Sequence, residues 1–178
     1  SITPHSKMKF YNPFKYKVYS YKQIFEKLDF YISILMNLPE ERKIDCILAI
    51  ETGGLHTATI INRYLRLPIH TIILKSYDAF DKKGEVYEID NGFRFESLKG
   101  KNVLVVDDLI DSGDSIIYCM DKLDALSIKH SFLVIFYTWE GIHKINKACR
   151  TLHTEVKDKV LYWQNKGKKV ALLGGDHS

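Results

Sequence analysis

The sequence predicts an α/β fold, a parallel, twisted sheet flanked by helices, and three observations carry that prediction. Short continuous apolar runs recur in IDCILAI, NVLVVDD and SFLVIFY, as expected of strands covered on both faces. Between them lie segments with an apolar residue every three or four positions, the period of an amphipathic helix. The two kinds of segment alternate, which implies parallel strands joined by right-handed crossovers.

The elements follow in order. After a lead rich in Tyr and Lys, SYKQIFEKLDFYISILMNLP places Ile24, Leu28, Tyr31, Leu35 and Leu38 on one helical face. Ser20 with Gln23 forms a capping-box pattern, and Pro39 ends the helix. The run Ile44–Ile50 is a buried strand that stops at ETGG. From Leu55 the spacing of Leu55, Ala58, Ile61 and Leu65 predicts a second helix, and LPIHTIIL after Pro68 predicts the next strand.

Residues 75–100 are polar and turn-rich, with weak alternation over Val86–Ile89 that suits one arm of a hairpin. A connection of this length inside a compact domain is usually functional or mobile. The strand NVLVVDD then has its apolar run end at Val106. It is followed by a helix from Gly113 to about Leu126, with Ile116, Met120 and Leu123 inward, and by the strand SFLVIFY. The last forty or so residues break the rhythm with a short amphipathic stretch, Ile142–Leu152, and an aromatic segment, VLYWQN. They suit a small appendage better than another βαβ unit.

A chain of 178 residues fits one domain, large enough to bury roughly 70% of the surface its unfolded form exposes. Cys46, Cys119 and Cys149 are far apart and odd in number, which suits reduced thiols in a cytoplasmic protein rather than a disulfide framework. No apolar run reaches signal-peptide or membrane-helix length, so a soluble protein with no membrane partner is expected. The formal net charge is +4, and the segment His143–Lys169 carries eight Lys or Arg against Glu155 and Asp158. That run is either a solvated basic face or a surface that meets an anion, and nucleic acid is not the expected partner.

In open α/β sheets, ligands bind at the carboxyl ends of strands. Two loaded segments lie there, ETGGL (51–55) and DLIDSGDSI (108–116). In the second, Asp111, Ser112, Gly113, Asp114 and Ser115 open a helix. Gly113 permits close backbone approach, Ser112 and Ser115 offer hydroxyls, and the amides at a helix start favour an anion such as phosphate. The same residues are also ordinary caps. Asp107 and Asp108 follow an apolar strand that ends at Val106, and such a pair can accept hydrogen bonds from a vicinal diol, hold a divalent cation or stabilise a developing positive charge.

VLVVDDLIDSGDS resembles the phosphoribosyl diphosphate (PRPP) signature of type I phosphoribosyltransferases: four apolar residues, two acids, two apolar residues, then Asp, Thr or Ser, Gly, any residue, and Thr or Ser. ILAIETGGL is similar to that family's pyrophosphate loop, LKSYD to the start of its mobile catalytic loop, and LKGKNVLVVDD to the approach to the signature strand. The resemblance spans about Tyr16–Tyr137. It is nearest the 6-oxopurine (hypoxanthine-guanine and xanthine-guanine) enzymes, in which KSY precedes the mobile loop.

The resemblance implies a single phosphoribosyltransferase domain over 1–178, with a core of about 16–137 and a hood of about 138–178 joined by N-terminal residues. It implies transfer of phosphoribosyl from PRPP to a nitrogenous base, most simply a purine, with release of pyrophosphate. Asp107 and Asp108 would hold the ribose hydroxyls, and Asp111–Ser115 would cradle the 5′-phosphate. Asp111 would also face N7 of the purine as general acid or base. Thr52, Gly53 and Gly54 would contact pyrophosphate, and Mg²⁺ would bridge it to the ribose, meeting Asp107 and Asp108 mainly through PRPP. Ser76 and Tyr77 would close over the reacting centre and exclude water. The family's pattern also makes Glu51–Thr52 a cis peptide and the protein a homo-oligomer, a dimer or tetramer.

Two departures stand out. The 6-oxopurine enzymes carry a Lys after the strand matching FLVIFY where this chain has Thr138, and no Lys occurs until Lys144. They carry Arg or Lys where this chain has Thr52, and Lys75, Lys82 or Lys83 would partly replace that charge on pyrophosphate. For stacking on the base, Trp163 occupies the matching place, with Trp139 and Tyr162 as competitors. The missing cations leave two other readings open: a PRPP- or nucleotide-binding regulator of the same fold, and a transferase for a non-purine acceptor.

Overall fold

The computed structural model describes residues 21–77, 81, 85–137, 140–141, 143–145, 147 and 171–175. The elements run α1 (Tyr21–Met36), β1 (Cys46–Glu51), α2 (Gly53–Leu65), β2 (Ile69–Ser76), β3 (Val86–Ile89), β4 (Asn102–Ile110), α3 (Asp114–Ala125), β5 (Lys129–Tyr137) and β6 (Ala171–Gly175). Short 3₁₀ turns lie at Glu40–Arg42 and Phe95–Leu98.

The strands form one sheet in the order β3-β2-β1-β4-β5-β6. The four central strands are parallel: β1 pairs with β2 and β4, and β4 pairs with β5. The carboxyl ends of β1, β2, β4 and β5 therefore share one edge. The expected hairpin arm forms, with β3 antiparallel to β2 and Ser76 opposite Val86. The segment expected as an appendage returns a strand to the sheet, since β6 lies antiparallel on β5.

Each sheet face is covered. Leu28, Tyr31, Ile32 and Leu35 of α1 and Ala58 and Ile61 of α2 pack on Ile47, Ala49, Leu104, Val106, Leu133 and Ile135. On the other face, Ile116, Cys119, Met120 and Leu123 of α3 meet Leu48, Ile50, Val103, Val105, Phe132 and Val134. Successive residues of a strand point to opposite faces, so the continuous apolar runs supply both cores at once. Burying each such Leu or Ile contributes about 1.5–3 kcal/mol. Among the described residues, no helix is long and apolar enough to cross a membrane.

Three boundaries differ from the sequence reading. β4 does not stop at Val106 but runs on to Ile110, because Asp107, Leu109 and Ile110 keep pairing with β5. Backbone pairing with a neighbouring strand outweighs the poor strand propensity of two adjacent acids. α2 begins at Gly53 rather than Leu55, so both glycines of ETGG are helical. Gly113 is not the first residue of α3 but its N-cap, at φ +84°, a conformation that glycine adopts without steric cost. Ile24 and the Ser20–Gln23 capping pattern lie outside the described residues or side chains.

Candidate active site

Alternation along β4 decides where its acids go. Val103 and Val105 face α3 while Leu104 and Val106 face α1 and α2, so Asp107 is directed beneath α3 and Asp108 toward the start of α2. Asp107 is 9% exposed, and its Oδ1 accepts the Asp108 N–H at 2.9 Å. Burial pushes the Asp107 carboxyl up to about 8; the Asp108 side chain adds to the rise, and the amides of Asp108 and Leu109 oppose it. Beneath it the fully buried Cys119 thiol is raised as well, first by burial and then by Asp107.

Asp108 is exposed and lies against α2. A Cβ placed on Gly53 would overlap its carboxylate, and one on Gly54 would overlap the Val106 carbonyl oxygen. The two chemically loaded segments are therefore a single packed unit. The Glu51–Thr52 peptide ahead of the glycines is cis, as the family pattern implies. Thr52 is the N-cap residue of α2, with no side-chain capping hydrogen bond. The amides of that helix start consequently open at the same edge as Asp108.

The turn after β4 is held from two sides. Ser112 Oγ accepts the Asp114 N–H at 3.4 Å, so this hydroxyl serves as a local cap. A helical stretch described at 140–141 and 143–145 packs over the turn. A Cβ on Gly141 would overlap the Asp111 carbonyl oxygen, and one on Gly113 would sit 3.0 Å from the Gly141 carbonyl oxygen. Lys144 Nζ forms an ion pair with Asp114 Oδ1; the Lys144 side chain is 48% exposed and that of Asp114 only 13%. Leu109 stands 47% exposed between these acids.

Ser76 and Tyr77 lie at the same edge, on the other side of β1, where Ser76 is the last residue of β2. The Tyr77 N–H donates to the Glu85 carbonyl at 3.1 Å, and its ring lies 4.7 Å from that of Tyr87. These residues thus leave the sheet from an anchored base. Lys75 is exposed on β2. Thr138, Trp163, Trp139, Tyr162, Lys82 and Lys83 lie outside the described residues.

The donor set suits Mg²⁺ held partly by a ligand. Among the described residues, no group of three or more His, Cys, Asp or Glu side chains could hold a metal ion. Asp107 and Asp108 are hard oxygen donors but are too few to enclose Mg²⁺, which retains water and takes phosphate oxygens. The residues present therefore fit an ion that arrives with a phosphorylated substrate.

Gly141 and Lys144 escaped the sequence reading as parts of this site. Their signal was a glycine just ahead of the amphipathic stretch Ile142–Leu152 and a lysine inside it, both common features without a fold to place them.

A parallel sheet whose strand ends bring an acidic pair, a glycine-capped turn and a glycine-started helix to one edge defines an open α/β protein with its loaded loops gathered at the carboxyl ends of the strands. The chain belongs to the phosphoribosyl transferase domain family, whose pattern matches residues 17–172. It is 26% identical over 101 residues to the xanthine-guanine phosphoribosyltransferase of Idiomarina loihiensis, covering 56% of this chain and 59% of that protein. The purine phosphoribosyltransferase from Pyrococcus horikoshii superposes with a TM-score of 0.56 at 21% identity, covering 68% of this chain and 77% of that one. A hypothetical protein from Neisseria gonorrhoeae with bound ppGpp superposes at 0.53 with 27% identity, covering 67% and 69%.

Proposed function

We propose that the protein transfers the 5-phosphoribosyl group of PRPP to a purine base and releases pyrophosphate. One observation carries this reading: the Gly53–Gly54 start of α2 packs directly on Asp108 and the end of β4, so a diphosphate loop and a diol-binding acid face one ligand.

In this reading a ring nitrogen of the base bonds to C1 of the ribose as the bond from C1 to the pyrophosphate oxygen breaks. The sugar passes through a cationic, oxocarbenium-like state, for which positioning and fixed charges matter more than a protein nucleophile. Asp108, exposed beside the start of α2, holds the ribose diol and adds negative charge beside the developing cation, while Asp107, buried under α3, braces it by accepting the Asp108 N–H. The start of α3, with the amides of Gly113 and Ser115 and the hydroxyl of Ser115, takes the 5′-phosphate, while Ser112 caps the Asp114 N–H. Asp111 accepts the proton that the base loses. Gly53 and Gly54 admit the pyrophosphate close to the backbone, while Ser76 and Tyr77 shield the centre from water. Mg²⁺, when bound with PRPP, neutralises charge on the leaving pyrophosphate.

The reading is tested by incubating the protein with PRPP, Mg²⁺ and a panel of bases while pyrophosphate release is followed. Turnover with hypoxanthine, guanine or xanthine is expected. Release with a pyrimidine or pyridine carboxylate alone would move the acceptor outside the purines. Measurable PRPP binding with no turnover of any base would overturn the enzyme.

A nucleotide-binding regulator is the second reading, supported by the Neisseria gonorrhoeae relative, whose structure holds ppGpp. Tight ppGpp binding without base turnover is the outcome that favours it.

A further inference from the structure

We propose that Lys144 is a positioning residue for the sugar-phosphate turn: by pairing with Asp114 it removes a negative charge from the place a dianionic 5′-phosphate must occupy. The inference rests on the phosphoribosyl reading and concerns a part of the chain beyond the PRPP signature.

The turn poses an electrostatic problem. Asp111 precedes Gly113, and Asp114 is the first residue of α3. A carboxylate in the first helical turn is attracted to the exposed amides there, as a phosphate is. An uncompensated Asp114 would therefore compete with the phosphate for those amides and repel it across a short distance. Its side chain is only 13% exposed, so water screens it poorly.

The helical stretch after β5 supplies the compensating charge. Gly141 sits against the Asp111 carbonyl and Ile110, in contact that leaves no room for a Cβ, and Ile145 lies beside Gly113. Residues three and four apart share one helix face, so Gly141, Lys144 and Ile145 all point at the turn. Gly141 and Ile145 fix the approach, and Lys144 meets Asp114 Oδ1. The pair is half open to solvent at Lys144 and largely buried at Asp114, and it lies at the mouth of the turn, so its consequence is read in ligand binding.

The test is calorimetric titration of the full chain with ribose 5-phosphate, with Mg²⁺–PRPP and, as an internal control, with Mg²⁺–pyrophosphate. In the proposed arrangement pyrophosphate meets the other loop. Lys144→Gln is expected to weaken ribose 5-phosphate and PRPP by roughly tenfold or more while leaving pyrophosphate affinity unchanged. Lys144→Arg retains the pairing and should stay near wild type. In the double variant Lys144→Gln with Asp114→Asn the competing charge is gone, and affinity should recover relative to Lys144→Gln alone.

Unchanged ribose 5-phosphate affinity in Lys144→Gln overturns the proposal. So does a double variant as weak as the single one, which would mean that Lys144 acts without reference to Asp114. Should Lys144→Gln fold poorly in a thermal melt, Lys144→Met keeps the aliphatic stem and carries the same expectations. Wild-type protein that binds neither phosphate ligand overturns the phosphoribosyl reading itself, and the role of Lys144 with it.

Discussion

The carboxylate of Asp108 fills the space in which Gly53 would carry a side chain. The end of β4 and the start of α2 are thereby locked together, and the acid assigned to the ribose is held beside the loop assigned to pyrophosphate. Gly53→Ala forces one of them to move. The overlap is expected to cost about 1–3 kcal/mol of stability and to weaken Mg²⁺–pyrophosphate and PRPP together. Chemical denaturation and titration measure the two effects. Adding Asp108→Ala should restore stability but not PRPP affinity, and if stability stays low the backbone, not the carboxylate, sets the requirement for glycine.

Asp107 makes a pH dependence visible. Its carboxyl is raised to about 8 in the folded protein, against an ordinary carboxylate value of about 3.9 in the unfolded chain. The folded state therefore binds the proton more tightly, and the stability this contributes is complete below about pH 4. It is lost as pH rises to about 8. Asp107→Asn removes the titrating group, so its melting temperature relative to wild type should rise steadily between those pH values. Parallel profiles for the two proteins would show that Asp107 is ionised throughout.

Asp111 is expected to separate binding from chemistry. Asp111→Asn keeps a side chain of the same shape beside the phosphate turn but cannot accept a proton from the base. Turnover should fall by roughly 10²-fold or more, with PRPP affinity changed far less. Single-turnover kinetics alongside PRPP titration distinguish this from an equal loss in both, which would assign Asp111 to shaping the turn.

Gly141 sets two effects against each other. Alanine is the better helix former by about 1 kcal/mol, but a Cβ here would overlap the Asp111 carbonyl oxygen and Ile110. Backbone cannot yield as a flexible side chain does, so Gly141→Ala is expected to destabilise the protein and to weaken ribose 5-phosphate. Thermal melts and titration check both. A stabilised variant with full affinity would mean that the helical stretch is free to lift from the turn.

The sequence by itself determined the strands β1 to β5, their covering helices and the residues at the sheet edge, but not β6, which lies in the stretch read as an appendage. Local periodicity sets each element: Leu28, Tyr31 and Leu35 on one helix face, the continuous apolar runs of β1, β4 and β5, and the alternation at Val86–Ile89 that becomes β3. The acids and the turn proposed for phosphate were legible because Asp107–Ser115 is contiguous, so its pattern can be read without three-dimensional information.

Only the tertiary structure decided how those pieces meet. Pairing with β5 carried β4 on through both acids to Ile110, and strand alternation then buried Asp107 under α3 and sent Asp108 to Gly53. Gly141 and Lys144 were invisible as site residues, because their role depends on the helical stretch after β5 folding back onto a turn some thirty positions earlier. Contacts between residues distant in the chain arise from packing the layers together, and no local pattern records which charge will face which.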